Sequence, residues 1–224
     1  LFVFRTFVAT NKKNQSKMKK SNLFLSSLFA AALLVSCGGN TNQTENAENE
    51  TVETETAEAA DVAVNLAESK VMWKGAMLGI KFHEGLVNLS EASLTMAGNT
   101  IVGGSFTIDM TTMIATDENF NPEEGSTKEK LIGHLSSDDF FNVAEYPTAS
   151  FVVTSVSGDG KTLTGNLTVR GKTNEETVTN VEVIDGTVSG NLTFDRKKYD
   201  VKWDSPMKDI VLSNDIEIMI KLAI

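Results

Sequence analysis

Cysteine is nearly absent from this chain of 224 residues: there is one, Cys37. An internal disulfide is therefore excluded, as are a Cys-rich zinc cluster and a CxxC redox pair. Histidine is almost as scarce. His83 and His134 are the whole supply, and no HExxH or calcium-loop pattern accompanies them. Only three prolines interrupt a composition that is 41% hydrophobic, which fits one buried domain with extensions. Basic residues are missing from one stretch altogether: residues 38–69 hold eight Asp/Glu and no Lys/Arg, whereas residues 1–37 hold six Lys/Arg and no acid. Beyond that basic leader fourteen bases face thirty acids, a formal charge of −16, which repels phosphate backbones and argues against a nucleic-acid partner.

What is present begins with a targeting pattern. From Met18, the stretch "MKKSNLFLSSLFAAALLVSC" has a cationic start at Lys19 and Lys20 and an apolar run from Leu23 to Val35 ending in small residues. That is the order of a secretory signal, and the run is too short for a spanning helix, which needs about 20 residues. The ending Leu34-Val35-Ser36-Cys37 resembles the bacterial lipobox, in which the cysteine is lipidated and becomes the first mature residue. The expected organisation is an upstream, non-native extension over residues 1–17, a lipoprotein signal over residues 18–36, and a lipidated Cys37 heading an acidic tether over residues 37–68. The tether has too little apolar surface to offset its ordering entropy. The expected location is the envelope of a Gram-negative bacterium, periplasmic or surface-exposed.

From about Ser69 the hydrophobic pattern has period two. Apolar slots alternate at Val102-Gly104-Phe106-Ile108-Met110, Leu163-Gly165-Leu167-Val169, Val188-Gly190-Leu192-Phe194 and Ile216-Ile218-Ile220-Leu222-Ile224. Turn residues at Gly98-Asn99, Gly158-Asp159-Gly160 and Asp185-Gly186 separate them at short spacing, so antiparallel hairpins follow. Gly104, Gly165 and Gly190 each fall on an apolar face. Glycine there marks a bend or a close approach, which suggests a curved sheet with interior space; strand chemistry without a cavity is the alternative. Ser126-Thr127-Lys128-Glu129 reads as a capping box opening a helix whose apolar stripe is Leu131, Ile132 and Leu135. The fold class is all-β: an extended antiparallel barrel over residues 69–224, with one or two short helices around residues 126–142.

The segment "GHLSSDDFF", Gly133 to Phe141, crowds His134 between serines and aspartates. It lacks the architecture of a hydrolase: its histidine and serines are neighbours in sequence, and no GxSxG elbow occurs. A metal site formed by two histidines with Asp138 or Asp139 stays open. The reading favoured by position gives His134 a structural hydrogen bond fastening the helix end to a loop, with Phe140 and Phe141 covering the barrel mouth. No catalyst, cofactor or resident metal is expected.

His134-Leu135-Ser136-Ser137-Asp138-Asp139-Phe140-Phe141, followed by Tyr146-Pro147, Phe151 and the run Gly165 to Thr173, resembles the YceI-like family of polyisoprenoid and lipid binding proteins. The resemblance covers roughly Ser69 to Ile224. It implies a lipocalin-like barrel whose apolar interior accepts a long lipid chain, with no reaction. This chain departs from the common pattern at "SKVMWKG", where many members carry a His-Ser pair, and at Ile132-Gly133, where many carry Arg-Asp, so head-group contacts differ. The pocket candidates are Trp73, Phe106, Ile108, Leu131, Phe140, Phe141, Phe151, Leu167, Phe194 and Trp203. His134, Arg170 and Arg196 are candidates for a polar head group. The partners expected are a long-chain lipid or isoprenoid amphiphile and a membrane reached through Cys37, with a homodimer to be tested. A filled barrel acting as an interaction module is the competing expectation.

Overall fold

A computed structural model describes residues 57–78, 81–204 and 211–224. The signal, Cys37 and most of the acidic tether lie outside the described residues. Nine strands and one α-helix are present among them: β1 (Ala59–Val62), β2 (Asn65–Met77), β3 (Lys81–Ala97), β4 (Thr100–Ala115), α1 (Lys128–Ser136), β5 (Thr148–Val156), β6 (Leu163–Val169), β7 (Lys172–Ile184), β8 (Thr187–Asp195) and β9 (Leu212–Ala223). Every pairing is antiparallel, in the order β3-β2-β9-β8-β7-β6-β5-β4, and β4 returns to β3. Eight strands therefore close into a barrel without a free edge.

The barrel begins earlier than Ser69. Asn65 already pairs with Ala223, and β1 takes the edge of β3 beyond the reach of β2, with Val62 opposite Leu94. Ala59-Ala60-Asp61-Val62 shows no apolar alternation; it is a strand because β3, at 17 residues, outlasts its partner and leaves backbone groups to be satisfied.

Alternation holds along β6 and β8, where Leu163, Gly165, Leu167 and Val169, and Val188, Gly190, Leu192 and Phe194, are all buried. It fails at the start of β4. A register shift between Thr95 and Met96 turns Ile101 inward and leaves Val102 44% exposed, so Val102 does not share the face of Phe106 and Ile108 that period two assigned to it. Gly165 shows why glycine recurs on the inner face. An added Cβ there would lie 2.5 Å from the Phe151 ring and from the Val152 carbonyl oxygen.

Topology sorts the connections into two ends. Two-residue turns join β3–β4 and β7–β8 and a short loop joins β5–β6, and hydrogen bonds from Asn99 to Val183, Val181 to Lys161 and Ile224 to Gly186 lace that end together. The opposite end carries α1 and the long segments after β4 and β8. There the helix cap is displaced by one residue from the expected box. Thr127, not Ser126, is the N-cap: its hydroxyl accepts from the Lys130 N–H, and the Glu129 carboxylate reaches back to Thr127. The helix stops at Ser136, and Ser137 caps its C-terminus by donating from N and Oγ to the His134 carbonyl.

Candidate functional site

The barrel encloses a cavity of about 200 Å³. All eight barrel strands, β2 to β9, contribute inward side chains to its wall, and α1 with the following turn covers it at the loop-rich end. All ten residues expected to line a pocket do line this cavity, from Trp73 on β2 to Trp203 after β8. Period two had told which residues share a face; closure of the sheet decides that this face is the inner one.

No Asp, Glu, Lys or Arg among the described residues lines the cavity. Its polar side chains are His83, His134 and Ser189, with the indole N–H groups of Trp73 and Trp203. Two of these polar atoms, Trp73 Nε1 and His134 Nε2, are buried without a hydrogen-bond partner. Among the described residues no side-chain hydrogen bond from His134 to a loop is present. The ring packs edge-on against Trp203 (4.8 Å between centroids) and Phe140 (5.7 Å), and main-chain bonds from Phe141 to Leu135 and from Val143 to Ser136 hold the turn. Neither Asp138 nor Asp139 joins the two histidines, and no cluster of three metal-ligating side chains occurs among the described residues.

Arg170 and Arg196 do not line the cavity. Arg170 occupies the first position of the two-residue turn between β6 and β7, at φ 48° followed by Gly171 at φ 68°, and reaches under the Phe140 turn. Its Nη1 donates to the carbonyls of Phe140 and Asp200 and its Nη2 to that of Asp138, each at 2.8 Å. Arg196 is fully buried. Its Nε donates to Ser213 O at 3.0 Å, Nη1 to Val201 O at 2.7 Å and Nη2 to Asp204 Oδ1 at 3.4 Å. Both guanidinium groups are thus engaged by carbonyls of the protein, and Arg196 by the Asp204 carboxylate as well, which explains their placement without a head group.

One arrangement escaped the reading of residue types. His83, the third residue of β3, turns its ring toward the cavity, and its Nδ1 lies 3.2 Å from Asp117 Oδ1 and 3.3 Å from Oδ2. Asp117 lies two residues past the end of β4. Its carboxylate also accepts from the Glu84 N–H (3.0 Å) and the Asn119 N–H (2.8 Å). Burial alone would raise the Asp117 pKa, but these two backbone donors and His83 outweigh it, and the carboxyl is held below its ordinary value. An ionised Asp117 can only accept, so Nδ1 carries the ring proton in this pair. Phe120 stacks on the imidazole at 4.6 Å. The signal available beforehand was phase: His83 shares its face with buried Gly85, Val87 and Leu89.

A family model described as the YceI-like domain matches residues 62–224. A UPF0312 protein from Shewanella denitrificans is 32% identical over 123 residues, 52% of this chain. That match spans 62% of the relative, less than two thirds of its length. Among solved structures, BcnA of Burkholderia cenocepacia aligns with a TM-score of 0.56 at 22% identity, covering 72% of this chain and 99% of the other, which is a likeness of fold. A polyisoprenoid binding domain from Saccharophagus degradans, implicated in plant cell wall breakdown, aligns at 10% identity with a TM-score of 0.45 over 74% of this chain and 97% of that one.

Proposed function

The chain belongs to the YceI-like domain family, and from that premise we propose that it is a non-catalytic binding protein or carrier for a polyisoprenoid or other long-chain lipid in the cell envelope, tethered through a lipid on Cys37. The observation that carries the reading is the cavity: a closed barrel around about 200 Å³, walled by aliphatic and aromatic side chains and by no fixed charge among the described residues. Apolar cavities of roughly 150 Å³ already stay dry and take up hydrophobic guests. At roughly 0.8 kcal/mol per buried CH₂, ten carbons contribute about 8 kcal/mol before ordering costs, which brings micromolar binding within reach.

The unpartnered indole and imidazole nitrogens in the wall do not amount to a catalyst. His83 has a carboxylate behind it, yet no serine, cysteine or threonine is hydrogen-bonded to it as a nucleophile among the described residues. The test is to purify the mature protein from its own envelope, extract it with organic solvent and identify the extract by mass spectrometry. A stoichiometric long-chain lipid is expected. A lipid-free extract, together with failure of the purified protein to take up any alkyl or prenyl chain, would overturn the proposal in favour of a filled-barrel interaction module. Globomycin treatment of the cells tests the anchor, since it blocks signal cleavage at a lipidated cysteine and leaves a longer precursor.

A further inference from the structure

Apart from Ser189 at the start of β8, the polar side chains of the cavity wall gather toward the end covered by α1, and there they have an order. In the β2–β3 pair Trp73 stands opposite Gly85, and Gly75 stands opposite His83. The two rings therefore occupy adjacent inward rungs, each facing a glycine across the strands. Gly85 is required there: an added Cβ would lie 2.7 Å from Trp73 Cζ2 and would run into the Ile114 carbonyl oxygen. Trp73 is 8% exposed, lines the cavity and has an indole N–H without a partner. A buried donor left unpaired is destabilising, a loss that a bare hydrocarbon in the cavity would not relieve.

His83 supplies the complementary group. Its side chain is 12% exposed, its ring is fixed by Phe120, and the Asp117 carboxylate takes the Nδ1 proton. In the neutral ring this leaves Nε2 as an acceptor. With the Trp73 donor on the adjacent inward rung, the wall offers one donor and one acceptor, which a hydroxyl, both donor and acceptor, can satisfy with one atom. An anionic head group meets the opposite conditions. No lysine or arginine among the described residues lines the cavity, the Asp117 charge sits directly behind His83, and the nearby Lys128 is paired with Glu118 at 2.8 Å.

We propose that Trp73 and His83, the latter positioned by Asp117, form a hydroxyl-recognition subsite, so that the preferred ligand is a neutral long-chain alcohol rather than its phosphate ester or a plain hydrocarbon. This rests on the lipid-binding reading and specifies its ligand. The experiment uses delipidated protein loaded with the fluorescent apolar probe N-phenylnaphthylamine, displaced in turn by dodecanol, dodecane and dodecyl phosphate. Dodecanol is expected to displace the probe at about tenfold lower concentration than dodecane, with dodecyl phosphate weaker than the alcohol. His83→Phe, which keeps an aromatic ring, brings the displacing concentrations of dodecanol and dodecane together. Trp73→Phe, which removes the indole N–H, reduces that advantage and carries the test if the His83 variant does not fold. Equal displacement by alcohol and alkane, stronger displacement by the phosphate, or an equal loss for all ligands in both variants overturns the subsite and leaves lipid binding standing. Failure of the wild-type barrel to bind the probe or any of the three chains overturns both.

Discussion

Replacing Arg170 by Asn sets a gain against a loss at one position. Arg170 sits at φ 48° ahead of Gly171, a turn in which asparagine is the favoured first residue. Left-handed backbone costs an ordinary L-residue about 1–2 kcal/mol and asparagine less, so the substitution relieves about 1 kcal/mol of local strain. Against this stand three hydrogen bonds of 2.8 Å from the guanidinium to the carbonyls of Phe140, Asp200 and Asp138. Bonds to a charged partner contribute about 1.5–3 kcal/mol each. The one to Asp138 is exposed and water replaces it readily, so we count the two partly buried ones at the lower figure, about 3 kcal/mol together. The loss exceeds the gain by about 2 kcal/mol.

A urea titration reads this directly. With a slope of roughly 2 kcal/mol per molar, the midpoint falls by about 1 M. Amide exchange should accelerate first around Asp138 to Val143, because the Arg170 clamp joins that turn to the β6–β7 hairpin. An unchanged or higher midpoint would refute the reasoning, since it would mean that turn strain outweighs the clamp. The same variant separates structure from recognition. Ligand affinity per folded molecule is expected to stay as in the wild type, and a tenfold drop in affinity without loss of stability would return Arg170 to the role of head-group contact.

Ala149→Phe puts a benzyl group on the wall of a cavity of about 200 Å³, where benzene-sized guests fill roughly 150 Å³; it should abolish uptake of alkyl chains while the far-ultraviolet spectrum of the barrel persists. Asp117→Asn removes a carboxylate whose pKa is depressed in the folded state. Its stabilisation is present above the ordinary value near 3.9 and is lost as pH falls through the depressed one, so the variant is less stable by about 1–2 kcal/mol at neutral pH and converges on the wild type in thermal melts as the pH falls through the depressed value. Tyr199 behaves in the opposite sense. Burial first, then the Glu176 charge and the 3.1 Å bond to Glu176, raise its phenol far above 10. Its contribution is complete below about pH 10 and is lost as pH rises through the raised value, so Tyr199→Phe should flatten the alkaline fall in melting temperature.

Period-two patterning made the barrel legible because a closed sheet with one buried face writes its geometry into alternate residues; β6 and β8 follow that rule throughout and β9 follows it from Ile216 onward. Where the sheet bends, the rule breaks. The bulge beside Ile101 reverses the phase of Val102, and nothing in the local sequence distinguishes those two β-branched residues. β1 was illegible for a different reason: it is a strand by virtue of the unoccupied edge of β3, a property of the assembled sheet.

The cavity was visible as composition, since aromatic and aliphatic side chains on inner faces cannot avoid lining whatever space the barrel leaves. Its polar corner was not. His83 and Asp117 are 34 residues apart, and their meeting depends on β3 and β4 running side by side, with Gly85 opposite Ala115 at the last rung before Asp117. Scarcity of histidine had directed attention to His134, the histidine in the more crowded local sequence, but crowding in sequence measures proximity along the chain only. Across a barrel, proximity is set by register. The group best placed to discriminate between ligands is therefore the histidine whose sequence neighbours gave no sign of it, held by a carboxylate that arrives from the far end of the adjacent strand.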